Sequence, residues 1–369
     1  MKVAIFLPKM SGGGIARTRA ALAHGLVSTP GVEVEFVLES LTGPLQHLVP
    51  GGAGTVELGK LRFRKLIGAL REYLAAARPD VLLTSKELHT FAAVIARRLT
   101  RSETRIFATM HGDFSTRLSQ NRTSLERYWL PTAVRLFYGR TDGVTTVSEG
   151  VAKDLVRATG LARAKIHCLY NPFDLAAIRQ AGGAQPDHPW LAEHRDMPCI
   201  VAAGRLAPQK DYPTLLRALE RLRQERAVRL VILGDGPDRQ GIVDEVGRLG
   251  LADVVDMPGF VENPFPYLAR ADLVALSSLW EGLPGVLVQA LALGVPIAST
   301  DCPHGPREVL EGGALGALAP VGDPEALAAG IARMLADPPD SGRLRASAER
   351  FSQKTVTQSY LDLFEAARR

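Results

Sequence analysis

Cysteine is scarce in this 369-residue chain: Cys168, Cys199 and Cys302 stand far apart, and no two form a Cys-x-x-Cys pair. An odd, dispersed set argues against both a disulfide framework and a zinc site, so a reducing cytoplasm is the expected setting. Long apolar runs are missing too. The opening MKVAIFLPKMSGGG offers only Ala4 to Pro8 before a lysine and glycines. That is too short for a signal-peptide core, and no later run reaches the roughly 18 residues that span a bilayer. Aromatic residues make up 6% of the chain, and the arginines are scattered without an aromatic-and-glycine signature, so nucleic acid is not an expected partner. The net charge of +5 hides an asymmetry: residues 1–190 carry 25 Lys and Arg against 15 Asp and Glu, and residues 191–369 carry 19 against 24. A basic half attracts phosphates or an anionic membrane surface.

What the chain does have is alternation. With 46% hydrophobic and 22% charged residues, its length suits two globular domains of about 150 to 200 residues each. Short β-branched runs such as KVAIFL (2–7), VEVEFVL (32–38), DVLLTS (80–85) and RIFATM (105–110) alternate with longer segments of helical period. After the polar, Pro-containing QAGGAQPDHPWLAEHRDMP the pattern restarts with CIVAAG (199–204) and VRLVILG (228–234). Strand–helix alternation implies parallel sheets covered by helices, and the restart implies two of them. The expected division is a first domain at 1–172, a linker at 173–198 and a second domain at 199–350.

Doubly wound sheets bind ligands beyond the carboxyl ends of their strands. PKMSGGGIARTRAALAHGL follows the first strand, and its glycines before a helix suit either an anion or a tight turn. His111 stands just after a strand in TMHGDFS, where it is a structural histidine, a donor to a sugar hydroxyl or a group that positions a carbonyl. In AAGRLAPQKDYPTLLRAL, Arg205 and Lys210 flank a proline ahead of a helix, a pairing fit for a diphosphate or for a solvated basic turn. In LWEGLPGVLVQALALGVPIAS, Glu281 precedes the Gly282 to Gly285 turn, and a short buried helix from Val286 to Leu293 contains one polar residue, Gln289.

At these residues the chain resembles glycosyltransferase family 4. GRLAPQKD, LGDGPDR, VDMPGFVENPFPYLARADLVALSSLWEGLPGVLVQALALGVPIASTDCPHGPREVL and GDPEALAAGI are similar to its carboxyl-terminal half, and PKMSGGGIARTRAALAHGL, TMHGD and HCLYNPFD to its amino-terminal signposts. The resemblance implies an α/β GT-B architecture, two Rossmann-like domains facing across a cleft, with the last helix at 351–369 returning to the first. It implies retaining transfer from a nucleotide diphosphate sugar, with no cofactor. Arg205 and Lys210 are then the diphosphate ligands, Glu281 with Gly282, Leu283, Pro284, Gly285 and Val286 the hexose ligands, and Gln289 the ribose ligand. The resemblance further brings Gly204, Phe260 and Val261 to the donor from the second domain, Gly13 and Gly14 from the first, and His111 to the sugar near the reacting carbon.

No Asp-x-Asp pair is present, and enzymes that neutralise the leaving phosphate with a metal commonly carry one, so metal-independent transfer is expected. The family's usual pattern has two glutamates eight positions apart; here the second is Gln289. Its neutral amide should hold hydroxyls less strongly. STDCPHGPREVL resembles relatives acting on UDP-hexoses or N-acetylhexosamines in cell-envelope glycans, which makes UDP the expected nucleotide and a glycan or lipid-linked acceptor the expected partner. The alternatives are a non-catalytic GT-B partner that binds nucleotide sugar and a GT-B epimerase. KLRFRKLIGALREYLAAARPD places Leu66, Leu70, Tyr73, Leu74 and Ala77 on one helical face with Arg62, Arg64, Lys65 and Arg71 towards its start. It reads as a crossover helix, or as a peripheral anchor at the inner face of the cell membrane.

Overall fold

The computed structural model of the protein describes residues 1–10, 14–120, 125–192 and 197–367. The chain divides into two compact units, Met1–Phe173 with Phe351–Arg369, and Asp174–Arg350. In the first unit β1 (Lys2–Leu7), β2 (Glu33–Leu38), β3 (Gly54–Glu57), β4 (Val81–Thr84), β5 (Arg105–Met110), β6 (Gly143–Thr146) and β7 (Ile166–Cys168) form one sheet in the order β3-β2-β1-β4-β5-β6-β7. All pairings are parallel, and Ile5 lies in register with Phe36 on one side and Leu83 on the other. Successive strand residues face opposite ways. Val3, Ile5 and Leu7 meet the helices Gly14–Val27 and Gln353–Ala366, whereas Ala4 and Phe6 meet Phe63–Ala77 and Glu87–Thr100. Burial on both faces explains why these strands read as unbroken apolar runs. The helices at 14–27 and 353–366 approach closely at Gly25, where an added Cβ would stand 2.1 Å from Thr357 Oγ1.

The sequence reading lacks one strand, β3. Its residues GTVE lie at the sheet edge and are exposed or half-exposed throughout, so no burial pattern marks them.

The second unit carries β8 (Cys199–Ala203), β9 (Arg229–Leu233), β10 (Val255–Gly259), β11 (Leu273–Leu276), β12 (Ile297–Thr300) and β13 (Ala317–Ala319) in the order β10-β9-β8-β11-β12-β13. Ile200, Ala202, Leu230 and Ile232 pack there against Leu215, Leu216 and Leu219 of the helix Tyr212–Arg223 and Leu327 and Ile331 of Pro324–Ala336.

The expected linker at 173–198 is corrected by the structure, because its described residues from Asp174 onward are part of the second unit. Asp174 Oδ1 accepts from Ala177 N at 2.9 Å and starts a helix, Leu175–Gly182. Leu175 and Ile178 are buried, and a Cβ on Gly182 would stand 2.6 Å from Leu293 Cδ2. Further on, His188 Nε2 and Asp256 Oδ2 are 2.8 Å apart. Small and polar residues that suggest a spacer here serve close packing instead.

Candidate active site

In the second unit β8 and β11 are neighbours, yet the chain leaves β8 towards β9 on one side and β11 towards β12 on the other. Such a switch point is where doubly wound sheets take their ligands. Two loops meet there: residues 204–211 after β8, which close in a 3₁₀ turn at Pro208–Lys210, and residues 277–284 after β11, which hold Glu281. Lys210 Nζ donates to Glu281 Oε1 at 2.6 Å, and the two side chains are 16% and 9% exposed. Ser278 Oγ donates to the same oxygen at 2.6 Å and is fully buried. Its carbonyl in turn accepts from Thr300 Oγ1 at 2.7 Å. Because both donors end on Oε1, Oε2 accepts no hydrogen bond among the described residues.

The loops are stitched to each other as well. Ser277 Oγ donates to Lys210 O at 2.7 Å, Gln209 Nε2 to Trp280 O at 2.8 Å and Leu279 N to Gln209 O at 2.8 Å. Gly204 leaves room for this arrangement: a Cβ there would stand 3.1 Å from Lys210 Cε and 3.3 Å from Tyr212 Oη. Burial, and then the Glu281 charge, pushes the Tyr212 hydroxyl well above its ordinary value, and the same causes push the Cys302 thiol up to about 12. Both stay protonated at neutral pH, so Cys302 is not a thiolate nucleophile.

Arg205 differs from Lys210. It is exposed and has no hydrogen bond or ion pair among the described residues. Gly282 and Gly285 are half-exposed, Leu283, Pro284 and Val286 are buried, and the helix runs Gly285–Leu293 without a side-chain cap at its start. Uncapped first-turn N–H groups carry partial positive charge suited to an anion. Within that helix Gln289 is half-buried among buried neighbours and makes no hydrogen bond among the described residues. Phe260, 71% exposed, and the half-buried Val261 follow β10, one strand beyond β9 from the Lys210–Glu281 pair.

The first unit has its own switch point, between β1 and β4. Gly13 lies outside the described residues. Gly14 opens the helix Gly14–Val27, with no atom within 4 Å of an added Cβ. His111 follows β5 and is half-buried, its Nε2 3.2 Å from Nη2 of Arg19. Arg19 is completely buried; its Nε donates to Ser85 Oγ at 3.0 Å and its Nη1 to Tyr360 Oη at 3.3 Å. Burial, and then the Arg19 charge, holds the imidazole well below its ordinary pKa, so the ring is neutral at pH 7. Sequence reasoning missed Arg19 and Ser278. The signals were present: Arg19 falls on the stripe of Ala16, Ala20, Ala23 and Leu26, and Ser278 stands three residues before Glu281 at a strand end.

Two doubly wound parallel sheets of one strand order, each followed by polar loops at its switch point, define the GT-B class of fold. A family model described as Glycosyltransferase Family 4 matches residues 12–177, and one described as Glycosyl transferases group 1 matches residues 197–337. Together they take in most of the sequence, and the chain belongs to this glycosyltransferase family. It is similar to the N-acetylgalactosamine-N,N'-diacetylbacillosaminyl-diphospho-undecaprenol 4-alpha-N-acetylgalactosaminyltransferase of Campylobacter jejuni, 31% identical over 55% of this chain and 53% of that protein. It thus spans about half the length of that relative. The lipopolysaccharide core biosynthesis glycosyltransferase LpsE of Rhizobium meliloti is 29% identical over 68% of this chain and 67% of its own length. A crystal structure of HepE from Anabaena in complex with UDP and glucose matches with a TM-score of 0.79, covering 99% of this chain and all of that one, at 20% identity. That likeness is one of fold.

Proposed function

We propose that the chain is a retaining glycosyltransferase that moves a hexose or N-acetylhexosamine from a UDP-sugar to a glycan or lipid-linked acceptor of the cell envelope. The observation that carries this reading is the Lys210–Glu281 pair at the switch point of the second sheet, with Arg205 exposed and without a partner among the described residues on the same loop. Departure of a nucleotide diphosphate leaves negative charge on phosphate and positive charge on the sugar. Lys210 has three N–H donors and gives one to Glu281, so the others can serve a diphosphate. Arg205 adds a bidentate fork and the start of the helix Gly285–Leu293 adds partial charge, which together stabilise the leaving group without a metal. Glu281 Oε2 accepts from a hexose hydroxyl, the backbone from Gly282 to Val286 lies along the sugar, Gln289 serves the ribose, and Gly204, Phe260 and Val261 complete the donor site. Gly13, Gly14 and His111 keep the roles the family resemblance gives them.

The names of the relatives support the envelope setting: one acts on a diphospho-undecaprenol-linked substrate and one in lipopolysaccharide core biosynthesis. UDP and glucose in the HepE complex support the nucleotide. Thermal shift with UDP- and GDP-sugars tests it, since a ligand at a hundred times its Kd adds about 2.7 kcal/mol to stability. A UDP-sugar should stabilise the chain, and its turnover should persist in EDTA with retention at the anomeric carbon. Stabilisation by GDP-sugars alone would overturn the nucleotide, and a bound donor that is neither hydrolysed nor transferred would make the chain a non-catalytic partner.

Membrane association belongs to the same proposal in a reduced form. Among the described residues no helix is long and apolar enough to cross a membrane. Leu66, Leu70, Tyr73 and Leu74 of the helix Phe63–Ala77 are buried in the first unit's core, while Arg62, Arg64, Lys65 and Arg71 are exposed. Any docking by this helix is therefore electrostatic, each basic residue near an anionic surface contributing about 1 kcal/mol. Pelleting with anionic vesicles should fall steeply with salt; equal, negligible pelleting at low and high salt removes the idea.

A further inference from the structure

We propose that Arg19 is a positioning residue that locks His111 in its Nδ1–H tautomer and presents that N–H as the donor His111 offers a ligand. A guanidinium can only donate hydrogen bonds. The contact between Arg19 Nη2 and His111 Nε2, at 3.2 Å, therefore requires an unprotonated Nε2. A neutral imidazole with a bare Nε2 carries its proton on Nδ1. Arg19 is not free to turn away, because it is completely buried and its other arms are held by Ser85 Oγ and Tyr360 Oη. Those partners come from the end of β4 and from the helix Gln353–Ala366, so separate elements of the first unit fix one guanidinium.

The partner set is unusual for a buried cation. Buried charges are ordinarily paired, yet no carboxylate pairs with Arg19 among the described residues. A carboxylate would favour protonation of a neighbouring ring, whereas an unneutralised arginine opposes it; burial acts in the same direction. His111 Nδ1 makes no hydrogen bond among the described residues, and the ring is half-buried rather than sealed. The ring is thus neutral, oriented from behind and left with one uncommitted donor. It cannot accept a proton at Nε2 without losing Arg19, which excludes Nε2 as a general base. The consequence for transfer rests on the proposed role of His111 at the sugar; the tautomer assignment does not.

The test is a long-range 1H–15N correlation spectrum of the full chain labelled with [15N]histidine at pH 7, the His111 signals being those absent from His111→Asn. The expected pattern is a protonated Nδ1 and a pyridine-type Nε2, shifting in Arg19→Met towards the Nε2–H form that free histidine prefers. A wild-type ring that is Nε2–H or imidazolium overturns the proposal, and this holds even if Arg19→Met fails to fold. Transfer assays separate the two claims. An asparagine amide stands near the Nδ1 position and a glutamine amide near Nε2, so His111→Asn should keep more turnover than His111→Gln. The expected ratio is up to about tenfold, the worth of one neutral hydrogen bond. Equal turnover in both variants, with the wild-type Nδ1–H spectrum as expected, refutes Nδ1–H as the donor used in transfer and leaves the Arg19 lock standing.

Discussion

The two sheets share a strand order and each places a cation near its switch point, but they treat that cation in opposite ways. Lys210 is paired with a carboxylate that a buried serine also holds. Arg19 is more deeply buried and is held by two hydroxyls and an imidazole. The first arrangement neutralises the charge inside the fold; the second preserves it and imposes it on a neighbouring ring. In both, the charged group is held by the protein, and the polar groups without a partner among the described residues are Arg205, Glu281 Oε2 and Gln289 in the second unit and His111 Nδ1 in the first, beside the two N–H groups of Lys210 that Glu281 does not take. The comparison therefore divides the candidate site residues into those with partners in the fold and those without one among the described residues.

The largest expected effect breaks the committed pair. Lys210→Met leaves the Glu281 carboxylate buried with Ser278 as its remaining partner, and removing one member of a buried ion pair costs about 3–5 kcal/mol. Urea denaturation should show that loss, and Lys210→Met combined with Glu281→Gln should recover much of it because no charge is then left unpaired. A single variant within about 1 kcal/mol of the parent would mean that Lys210 is not committed to the fold. An activity loss in Lys210→Met is for the same reason a poor measure of its part in transfer.

Arg205 supplies the cleaner measure. It is exposed and without a partner among the described residues, so Arg205→Ala should leave stability within about 0.5 kcal/mol of the parent, as surface changes usually do. If it stabilises the departing diphosphate, turnover should fall by about 100-fold or more while donor binding weakens less, since phosphate charge grows in the transition state. Near-normal turnover in the folded variant would return Arg205 to the solvated basic turn.

Much of this frame was legible in the sequence, for physical reasons. Parallel strands buried on both faces leave unbroken apolar runs, and the loops that follow them are where Arg205, Lys210, Glu281 and His111 were found. What was not legible is which side chains are spent on one another. Lys210 and Glu281 are 71 positions apart, and only the adjacency of β8 and β11 brings them to 2.6 Å. Arg19 was hidden by its type, since an arginine on an apolar stripe reads as a solvated interruption until Ser85, Tyr360 and His111 converge on it from 66, 341 and 92 positions away. The segment 173–198 misled through composition, its Gly182 serving helix contact rather than slack.

Gln289 gives the smallest effect and the sharpest test of the division. The helix Gly285–Leu293 buries seven of its nine residues, and Gln289 is its polar, half-buried member with no hydrogen bond among the described residues. A position that served only packing would favour an apolar side chain, because an unpaired buried amide costs about 1–3 kcal/mol. If the amide is kept for donor, Gln289→Leu should be as stable as the parent or slightly more so. Its donor binding should weaken by about 0.5–1.5 kcal/mol, the net worth of a neutral hydrogen bond. Gln289→Glu, which restores the family's second carboxylate, should bind at least as well as the parent, since a charged acceptor makes the stronger bond. Titration calorimetry with the stabilising nucleotide sugar decides between the readings. Parent-like affinity in Gln289→Leu would place position 289 with the fold and leave Glu281 as the site's polar contact from this segment. Weakened affinity at unchanged stability would place it with the ligand.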